Sequence, residues 1–285
     1  MAKTLQDLRD HKRIGKPHAY DRQQAILYAL GIGMGMDPLD ERQLRFVLED
    51  DLLVFPTFAT VAAWDIEFLL ELGIGWSKLI HLAQSMEIFY PFPPEAQLLS
   101  DRRILDAVEK PKQNATILTS EALVREAGTD RTLARLVKTT IARDFRVADA
   151  PTGGPRSHVN RPDREPDHVV TLKTSPQVAL IYRQLGGRAK IHSTPADARE
   201  QGFEGPIMHG LSTWGHVCHV LLRAVADYDV NRLRQFSAGF AAPVYPGEEL
   251  TTALWVDGND VFFETRVAAR DKLVLSDGKA VLSPA

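Results

Sequence analysis

The chain has 285 residues, of which 44% are hydrophobic and 25% are charged, and its net charge is −3 with a pI near 6.3. This composition predicts a globular protein with a buried core, and the charge gives no electrostatic reason to bind nucleic acid or an anionic membrane. The single cysteine, Cys218, excludes an internal disulfide and a cysteine-ligated zinc site.

The chain ends and the apolar runs indicate the cellular location. Residues 1–13 are polar and carry both signs of charge, unlike a signal peptide. No apolar run approaches the ~18–20 residues that span a bilayer, and the C-terminal Ser-Pro-Ala is not a peroxisomal signal. The sequence therefore predicts a cytoplasmic protein with no membrane partner.

The composition changes once along the chain, at residues 149–167, where prolines, adjacent glycines and charges replace apolar residues. Such a segment is typical of a linker. We therefore predict an N-terminal domain over 1–150, a linker over 151–167 and a C-terminal domain over 168–285.

The two halves resemble each other. Each contains an apolar run entered through a proline, at Pro56 and at Pro206, and each has a second proline-containing segment, at Pro91 and at Pro243. The two prolines are 35 residues apart in the first half and 37 in the second. Equal landmarks at nearly equal spacing indicate an internal duplication.

In chain order, each half shows one long helical signal followed by short strand signals. The Gly-rich segment 31–35 lacks the spacing of a dinucleotide fingerprint and is better interpreted as a helix end. In the second half, apolar residues recur at helical intervals over 209–226. Strands are predicted over 249–256, 261–268 and 272–275, with turns at Asp257-Gly258 and Asp277-Gly278. A buried helix followed by an antiparallel meander is an α+β pattern.

The most informative chemistry lies in residues 182–215. A lone histidine, His192, precedes a His209-Gly210 pair that opens the apolar helix. Histidine can act as a base near neutral pH because its ordinary pKa is about 6.5. Backbone N–H groups at a helix start favour a developing negative charge, and glycine lets a substrate approach them closely. The spacing is therefore typical of a site that acts on an acyl thioester.

These features resemble the hydratase 2 (MaoC-like) family of (R)-specific enoyl-CoA hydratases, in its two-repeat form. The apolar run Val54–Trp64, the second-half segment 206–215 and the duplicated architecture carry the resemblance over nearly the whole chain. The second-half positions on the family pattern are Tyr182, Arg183, Arg188, His192, Pro195, Ala198, Gly202, Phe203, Pro206, His209 and Gly210. The resemblance implies a double hot-dog fold, in which each repeat wraps an antiparallel sheet around a central helix.

The resemblance also implies the roles of the site residues. Family members use an Asp and a His on one water, with backbone N–H at a helix start for the thioester oxygen. Here His192 is the implied base and Gly210 the implied donor. Gly187 stands where the family has its catalytic Asp, Ala189-Lys190 replaces Asn-Pro, and Thr194 replaces a residue that is often acidic. Candidates to replace the missing carboxylate are Asp197, Thr194 and Ser193.

Further site residues are predicted around this centre. The first half has Ala59-Thr60 in place of the histidine-glycine pair and should be non-catalytic. The predicted substrate pocket contains Arg188, Lys190, His209 and Trp214. The predicted contacts to the CoA phosphates are Lys110, Lys112, Arg143 and Arg146. His216 and His219 have no third ligand at suitable spacing, so no metal site is predicted.

The leading functional hypothesis is an (R)-specific 2-enoyl-CoA hydratase, or the reverse 3-hydroxyacyl-CoA dehydratase. Such a hydro-lyase would take an acyl-CoA substrate and need no cofactor beyond the coenzyme A of that substrate. The resemblance also allows a homodimer. Two alternatives follow from Gly187: an acyl-CoA-binding protein without chemistry, and another thioester reaction such as hydrolysis or carbon–carbon cleavage.

Overall fold

One ten-stranded antiparallel sheet runs through both halves of the chain in a computed structural model that describes residues 3–153 and 159–284. The strands are β1 Lys12–Tyr20, β2 Leu79–Ile88, β3 Ala96–Lys110, β4 Ala115–Glu126, β5 Thr132–Arg143, β6 His168–Lys173, β7 Leu233–Phe240, β8 Glu249–Asp257, β9 Asp260–Val267 and β10 Lys272–Leu282. Their order across the sheet is β1-β3-β4-β5-β2-β7-β10-β9-β8-β6.

The strand order reveals the duplication directly. Each half places its first strand at an outer edge and its second strand at the centre, so the two halves repeat one topology around the β2–β7 junction. Ser85 and Ser237 are paired at this junction. The predicted α+β double hot-dog is confirmed.

Eight α-helices accompany the sheet in the part of the chain that the structure describes. They are α1 Leu5–Asp10, α2 Arg22–Leu30, α3 Glu41–Leu44, α4 Ala59–Ala62, α5 Glu67–Leu70, α6 Val178–Tyr182, α7 Pro195–Glu200 and α8 Gly210–Val225. Helix α8 is the predicted helix of the second half. Twelve of its residues are buried, because it crosses the core and packs on all sides.

The prediction of a long helix in the first half is wrong. Residues Pro56–Phe58 form a 3₁₀ turn and α4 adds only four residues. Soon after α4, the Asp65 carboxylate accepts hydrogen bonds from Arg13 and from the Phe68 backbone N–H, which holds the chain in a different direction. Phe55 and Phe58, beside this short helix, are buried in the main core.

The strand and turn predictions of the second half are largely confirmed. Strands β8, β9 and β10 cover the predicted segments, and Asp257-Gly258 connects β8 to β9. The turn predicted at Asp277-Gly278 is wrong, because these residues lie inside β10 where its register shifts. Gly278 is required there, since a Cβ would lie 2.3 Å from the Phe263 ring. The glycine-rich segment after α2 is a helix end, as predicted, with Gly31 as its C-cap.

The predicted linker is described except for residues 154–158, which lie outside the described residues. On its N-terminal side, Asp149 accepts a hydrogen bond from the Leu5 backbone N–H. On its C-terminal side, the Val159 N–H donates to Asp277 and Arg164 pairs with Asp167 at 2.7 Å. The domain limits 1–150, 151–167 and 168–285 stay a prediction.

None of the helices within 3–153 and 159–284 combines the length and the apolar character needed to cross a bilayer.

Candidate active site

The loop that carries His192 is built from short turns between α6 and α7. A 3₁₀ turn over Arg183–Leu185 ends at Gly186, whose φ of 118° turns the chain in a way that only glycine adopts readily. A second 3₁₀ turn, Lys190–His192, follows. Pro195 then opens α7 at its first position. These turns place the His192 ring beside the entrance of α8.

The His192 ring is oriented by one hydrogen bond. Its Nδ1 lies 2.9 Å from the Ile207 carbonyl oxygen. Because a carbonyl only accepts, Nδ1 carries the proton and Nε2 carries the lone pair in the neutral ring. Burial lowers the pKa of His192, and the nearby Arg183 guanidinium lowers it further. The imidazole is therefore neutral at pH 7, with Nε2 in the form of a base.

His209 packs face to face with His192. The ring centroids are 3.8 Å apart and the planes meet at 26°. Its Nε2 donates to the Gly187 carbonyl oxygen at 2.9 Å, and its buried Nδ1 has no hydrogen-bond partner among the described residues. Burial and the adjacent His192 lower the pKa of His209 to about 3. The site thus contains two neutral imidazoles in contact.

Gly187 lies against the His209 ring. A Cβ at this position would lie 3.0 Å from His209 Cδ2 and from Nε2. Any side chain there requires the ring to move by a few tenths of an ångström. Gly187 therefore contributes its backbone carbonyl to the site and positions His209.

The three candidates for a replacement acid do not contact His192. Ser193 donates to the Lys190 carbonyl oxygen, and the Thr194 N–H donates to the same oxygen. Asp197 lies in the first turn of α7. Over the described ranges, the hydrogen bonds and charges that act on His192 come from Ile207, His209 and Arg183, and none comes from a carboxylate.

Gly210 begins α8 and leaves its backbone N–H without an acceptor among the residues that the structure describes. An unpaired N–H at the positive end of a 16-residue helix is suited to bind a developing negative charge. A Cβ at Gly210 would lie 3.2 Å from the Phe240 ring, so glycine is needed for this close approach. Phe240 in turn contacts His81, with ring centroids 4.7 Å apart.

Both halves of the chain resemble known proteins. The MaoC-like domain family matches residues 157–277, and the hydratase 2 N-terminal domain family of MFE-2 enzymes matches residues 18–144. The chain is 33% identical to the enoyl-CoA hydratase ChsH3 of Mycobacterium tuberculosis, over 88% of this chain and 89% of that protein. It is 32% identical to the peroxisomal enoyl-CoA hydratase 2 of Arabidopsis thaliana, over 93% of this chain and 91% of that protein. The chain belongs to the MaoC-like hydratase 2 family.

Solved structures of MaoC-like hydratases share the fold. The full-length peroxisomal multifunctional enzyme type 2 of Drosophila melanogaster has a TM-score of 0.81 at 28% identity, covering 96% of this chain and 48% of that one. The MaoC-like dehydratase of Phytophthora capsici has a TM-score of 0.85 at 22% identity, covering 99% of each chain. A Mycobacterium tuberculosis protein described as a double hot-dog has a TM-score of 0.56 at 12% identity, covering 99% of each chain.

The other predicted pocket residues of this MaoC-like chain lie in different surroundings. Arg188 and Lys190 are exposed on the His192 loop. Trp214 is fully buried and packs on Phe236 with ring centroids 4.8 Å apart, so it belongs to the core beneath the helix. Only His209 of the four directly touches the His192 ring.

The four predicted phosphate contacts meet at one end of the first-half sheet. Lys110 ends β3, Lys112 lies in the following turn, and Arg143 ends β5 opposite Ala115. Arg146 follows and forms an ion pair with Glu109 at 2.5 Å, so its charge is partly neutralised. Strand β2 connects this end of the sheet to the active site. Its Leu79 pairs with Ala142, and His81, two residues later, packs on Phe240. The arrangement suits an anionic ligand beside the active site, and its role in binding CoA stays a prediction.

His216 and His219 are inside α8 and serve the core. His216 Nδ1 donates to the Ser212 carbonyl oxygen at 2.7 Å. His219 bonds the Ile32 carbonyl oxygen and the Tyr228 hydroxyl. Burial lowers the pKa of each to about 4, so both are neutral at pH 7.

Sequence reasoning missed a polar cavity in the first half. It is lined by charged and polar side chains on the inner face of the sheet, including Arg102 and Lys138. The available signal was a lysine at an inward position of a strand whose neighbours on the same face, Leu136 and Thr140, are buried. The alternation of β5 could have identified Lys138 as an inward-facing cation.

Proposed function

We propose that the chain hydrates 2-enoyl-CoA thioesters to (R)-3-hydroxyacyl-CoA, and catalyses the reverse dehydration, with His192 as the acid and base. The observation that carries this proposal is the orientation of His192. Its Nδ1 proton is held by Ile207, and its Nε2 is left to accept a proton beside the start of α8.

The reaction follows from this arrangement. Water transfers a proton to His192 Nε2 while its oxygen bonds to the β-carbon, and the electron pair of the double bond moves toward the thioester oxygen. The Gly210 N–H receives this enolate charge, for which an oxyanion contact typically supplies ~3–4 kcal/mol. The imidazolium then returns the proton to the α-carbon. Catalyst and charge are restored, and water has been added across the double bond.

Gly187 limits the rate in this proposal. Without the family's carboxylate, only His192 orients the water, and one positioned acid or base typically contributes ~10²–10⁴-fold. We therefore expect hydration that is slow relative to a family member with the complete pair.

The test is hydration of crotonyl-CoA, followed by loss of enoyl-thioester absorbance and by chiral analysis of the product. His192→Ala should lower kcat/KM by ~10²–10⁴-fold, because it removes the base. His168→Ala, which changes an exposed histidine on β6, is the matched control and should leave the rate unchanged. Equal rates for wild type and His192→Ala would show that His192 is not the base.

A second candidate function is acyl-CoA binding without turnover. The absence of a carboxylate from the described contacts of His192, together with the packing of His209 on Gly187, favours it. In this case wild type would bind crotonyl-CoA without hydrating it, and Gly187→Asp with Ala189→Asn would create activity. Release of free CoA, measured with a thiol reagent, would instead indicate thioester hydrolysis.

Gly187→Asp needs His209 to shift, because the added Cβ lies only 3.0 Å from its ring. Combining Gly187→Asp with His209→Ala makes room for the carboxylate. If only this double variant is active, the failure of Gly187→Asp alone was caused by the clash with His209. If neither is active, a carboxylate at this position does not restore hydration. Cytoplasmic location, a homodimer and independence from any added cofactor stay predictions, and some relatives are named as peroxisomal.

A further inference from the structure

The inner face of the first-half sheet contains a polar cavity. The cavity has a volume of about 30 Å³, enough for two water molecules or a group the size of a carboxylate. Its apolar wall includes Trp64 and Leu211. Leu211 directly follows Gly210, so the cavity borders the proposed thioester site.

The polar wall is set by strand register. Lys138 on β5 pairs with Ser120 on β4 and with Gln84 on β2, and all three line the cavity. Arg102 on β3 joins them from the next strand. Three polar side chains therefore lie side by side on adjacent strands, and Arg102, which pairs with Ala122, lies two residues out of line with them on the fourth strand.

Neither cation that lines the cavity donates a hydrogen bond to a carboxylate of the described residues. Lys138 Nζ lies 5.1 Å from the Trp64 ring centroid, and no carboxylate oxygen among the described residues lies within 4.0 Å of it. The buried Arg102 Nε lacks a hydrogen-bond partner, although Asp65 is 3.5 Å away.

Two carboxylates, Asp65 and Glu121, also line the cavity, and both are already bound by arginines that lie outside its lining. Asp65 accepts both Arg13 hydrogen bonds and the Phe68 N–H. Glu121 is bound by Arg103 and by Arg135. With the arginines bound to these carboxylates included, the group around the cavity has five cations, Arg13, Arg102, Arg103, Arg135 and Lys138, against three carboxylates, Asp65, Glu71 and Glu121, which is an excess of positive charge.

Burying cations without matched anions is costly, and the cost is offset when a complementary anion enters with good geometry. Burial and the nearby Arg102 lower the pKa of Lys138 to about 8, so Lys138 is still largely charged at pH 7. An apolar acyl chain would leave these charges unpaired, whereas a carboxylate would bond to both.

We propose that this cavity binds a carboxylate at the far end of the acyl group, so that the substrate is the CoA thioester of an unsaturated dicarboxylic acid. The inference rests on the proposed function, which places the thioester at Gly210. Strand spacing supports the reach. Lys138 and the β7 strand that carries Phe240 are two strands apart, roughly 10 Å. An acyl chain of medium length spans such a distance.

The test compares trans-2-octenedioyl-CoA with trans-2-octenoyl-CoA, which differ only in the terminal carboxylate, and repeats the comparison with the ten-carbon pair. Wild type should prefer the diacid thioester in kcat/KM by roughly 10- to 100-fold, as expected for a charge-assisted hydrogen bond. Lys138→Met keeps the length and removes the charge. It should abolish the preference through KM and leave hydration of the monoacid thioester within about two-fold, because it removes only contacts to the carboxylate.

Lys173→Met, which changes an exposed lysine on β6, is the matched control and should keep the preference. Equal rates for diacid and monoacid thioesters in wild type at both lengths would overturn the proposal, and this comparison needs no variant to fold. An equal loss on both substrates in Lys138→Met would overturn it as well.

Calorimetry separates this inference from the hydratase assignment. The saturated thioesters suberyl-CoA and octanoyl-CoA cannot be hydrated, so their Kd values report the cavity alone. Tighter binding of suberyl-CoA that is lost in Lys138→Met supports the carboxylate site even if no enoyl-CoA is turned over. Equal Kd values alongside normal hydration would overturn the carboxylate site and leave the hydratase assignment intact.

Discussion

The two halves of the molecule share one strand order and differ in what their inner faces carry. In the second half, α8 buries twelve residues and starts at Gly210 beside the stacked pair His192 and His209. In the first half, α4 has four residues, and the inner face holds Lys138 and Arg102 around a cavity.

The two repeats of one fold therefore offer different groups to a ligand. One half keeps a helix start and a base, which the thioester chemistry requires. The position that matches Gly210 in the first half is Thr60, which lies inside the four-residue α4 and whose hydroxyl donates to the Thr57 carbonyl oxygen. Under the two proposals above, the first half supplies no reacting group and its polar groups select the substrate.

The first prediction is that the free energy of unfolding falls strongly at acid pH. Three histidines, His209, His216 and His219, are buried, and all three belong to the second half. Burial lowers their pKa to about 3, 4 and 4. The unfolded chain binds protons at these positions below pH 6.5 and the folded chain does not, so the free energy of unfolding falls as pH falls from 6.5 toward 4. From pH 7 to pH 5 these three groups account for a loss on the order of 5 kcal/mol. His18 and His81 of the first half, whose pKa burial lowers to about 4 and about 3, add to it.

Urea unfolding at several pH values measures this loss. His216→Gln removes one of the three groups and should make the fall less steep, whereas the exposed His168→Gln should not change the slope. A stability that is constant from pH 7 to pH 5 would show that these histidines are not neutral in the folded protein.

Gly210→Ala should lower kcat/KM for crotonyl-CoA by roughly 10- to 100-fold. The added methyl lies 3.2 Å from Phe240 and obstructs the approach of the thioester oxygen to the N–H, and losing such a donor typically costs ~10²–10³-fold. Gly205→Ala, at a position with no neighbour within 4 Å of the new Cβ, is the control. If both variants hydrate at the wild-type rate, the oxyanion contact lies elsewhere.

Gly215→Ala tests the junction of the halves and has the smallest expected effect. Its Cβ would lie 2.6 Å from Ile32 Cγ2 and 2.8 Å from the Tyr28 hydroxyl, both in the first half and fully buried. Overpacking costs ~1–3 kcal/mol or more, and alanine returns about 1 kcal/mol of helix propensity.

The net loss from Gly215→Ala is therefore about 1–2 kcal/mol, visible as a lower urea midpoint. Gly205→Ala again serves as the control. A gain in stability would mean that α8 and the first half are packed more loosely than the contacts show.

Much of the fold was predictable from sequence because its signals are local. Proline spacing revealed the duplication, and apolar periodicity located α8 and the strands of the second half. The missing long helix of the first half was not predictable, because Asp65 redirects the chain through a bond to Arg13, 52 residues away. The register shift at Gly278 depends on Phe263 of a neighbouring strand and was equally hidden.

Residue type and spacing were enough to predict the family pattern, the position of His192 and the loss of the carboxylate at Gly187. The tertiary structure was needed to show that the Ile207 carbonyl oxygen holds the His192 proton on Nδ1, that His209 packs on Gly187, and that Lys138 and Arg102 line one cavity. Those facts depend on which carbonyls, rings and strands meet in space. The burial of each group and the charges around it then set its protonation state. Both depend on the folded structure and cannot be read from the sequence alone.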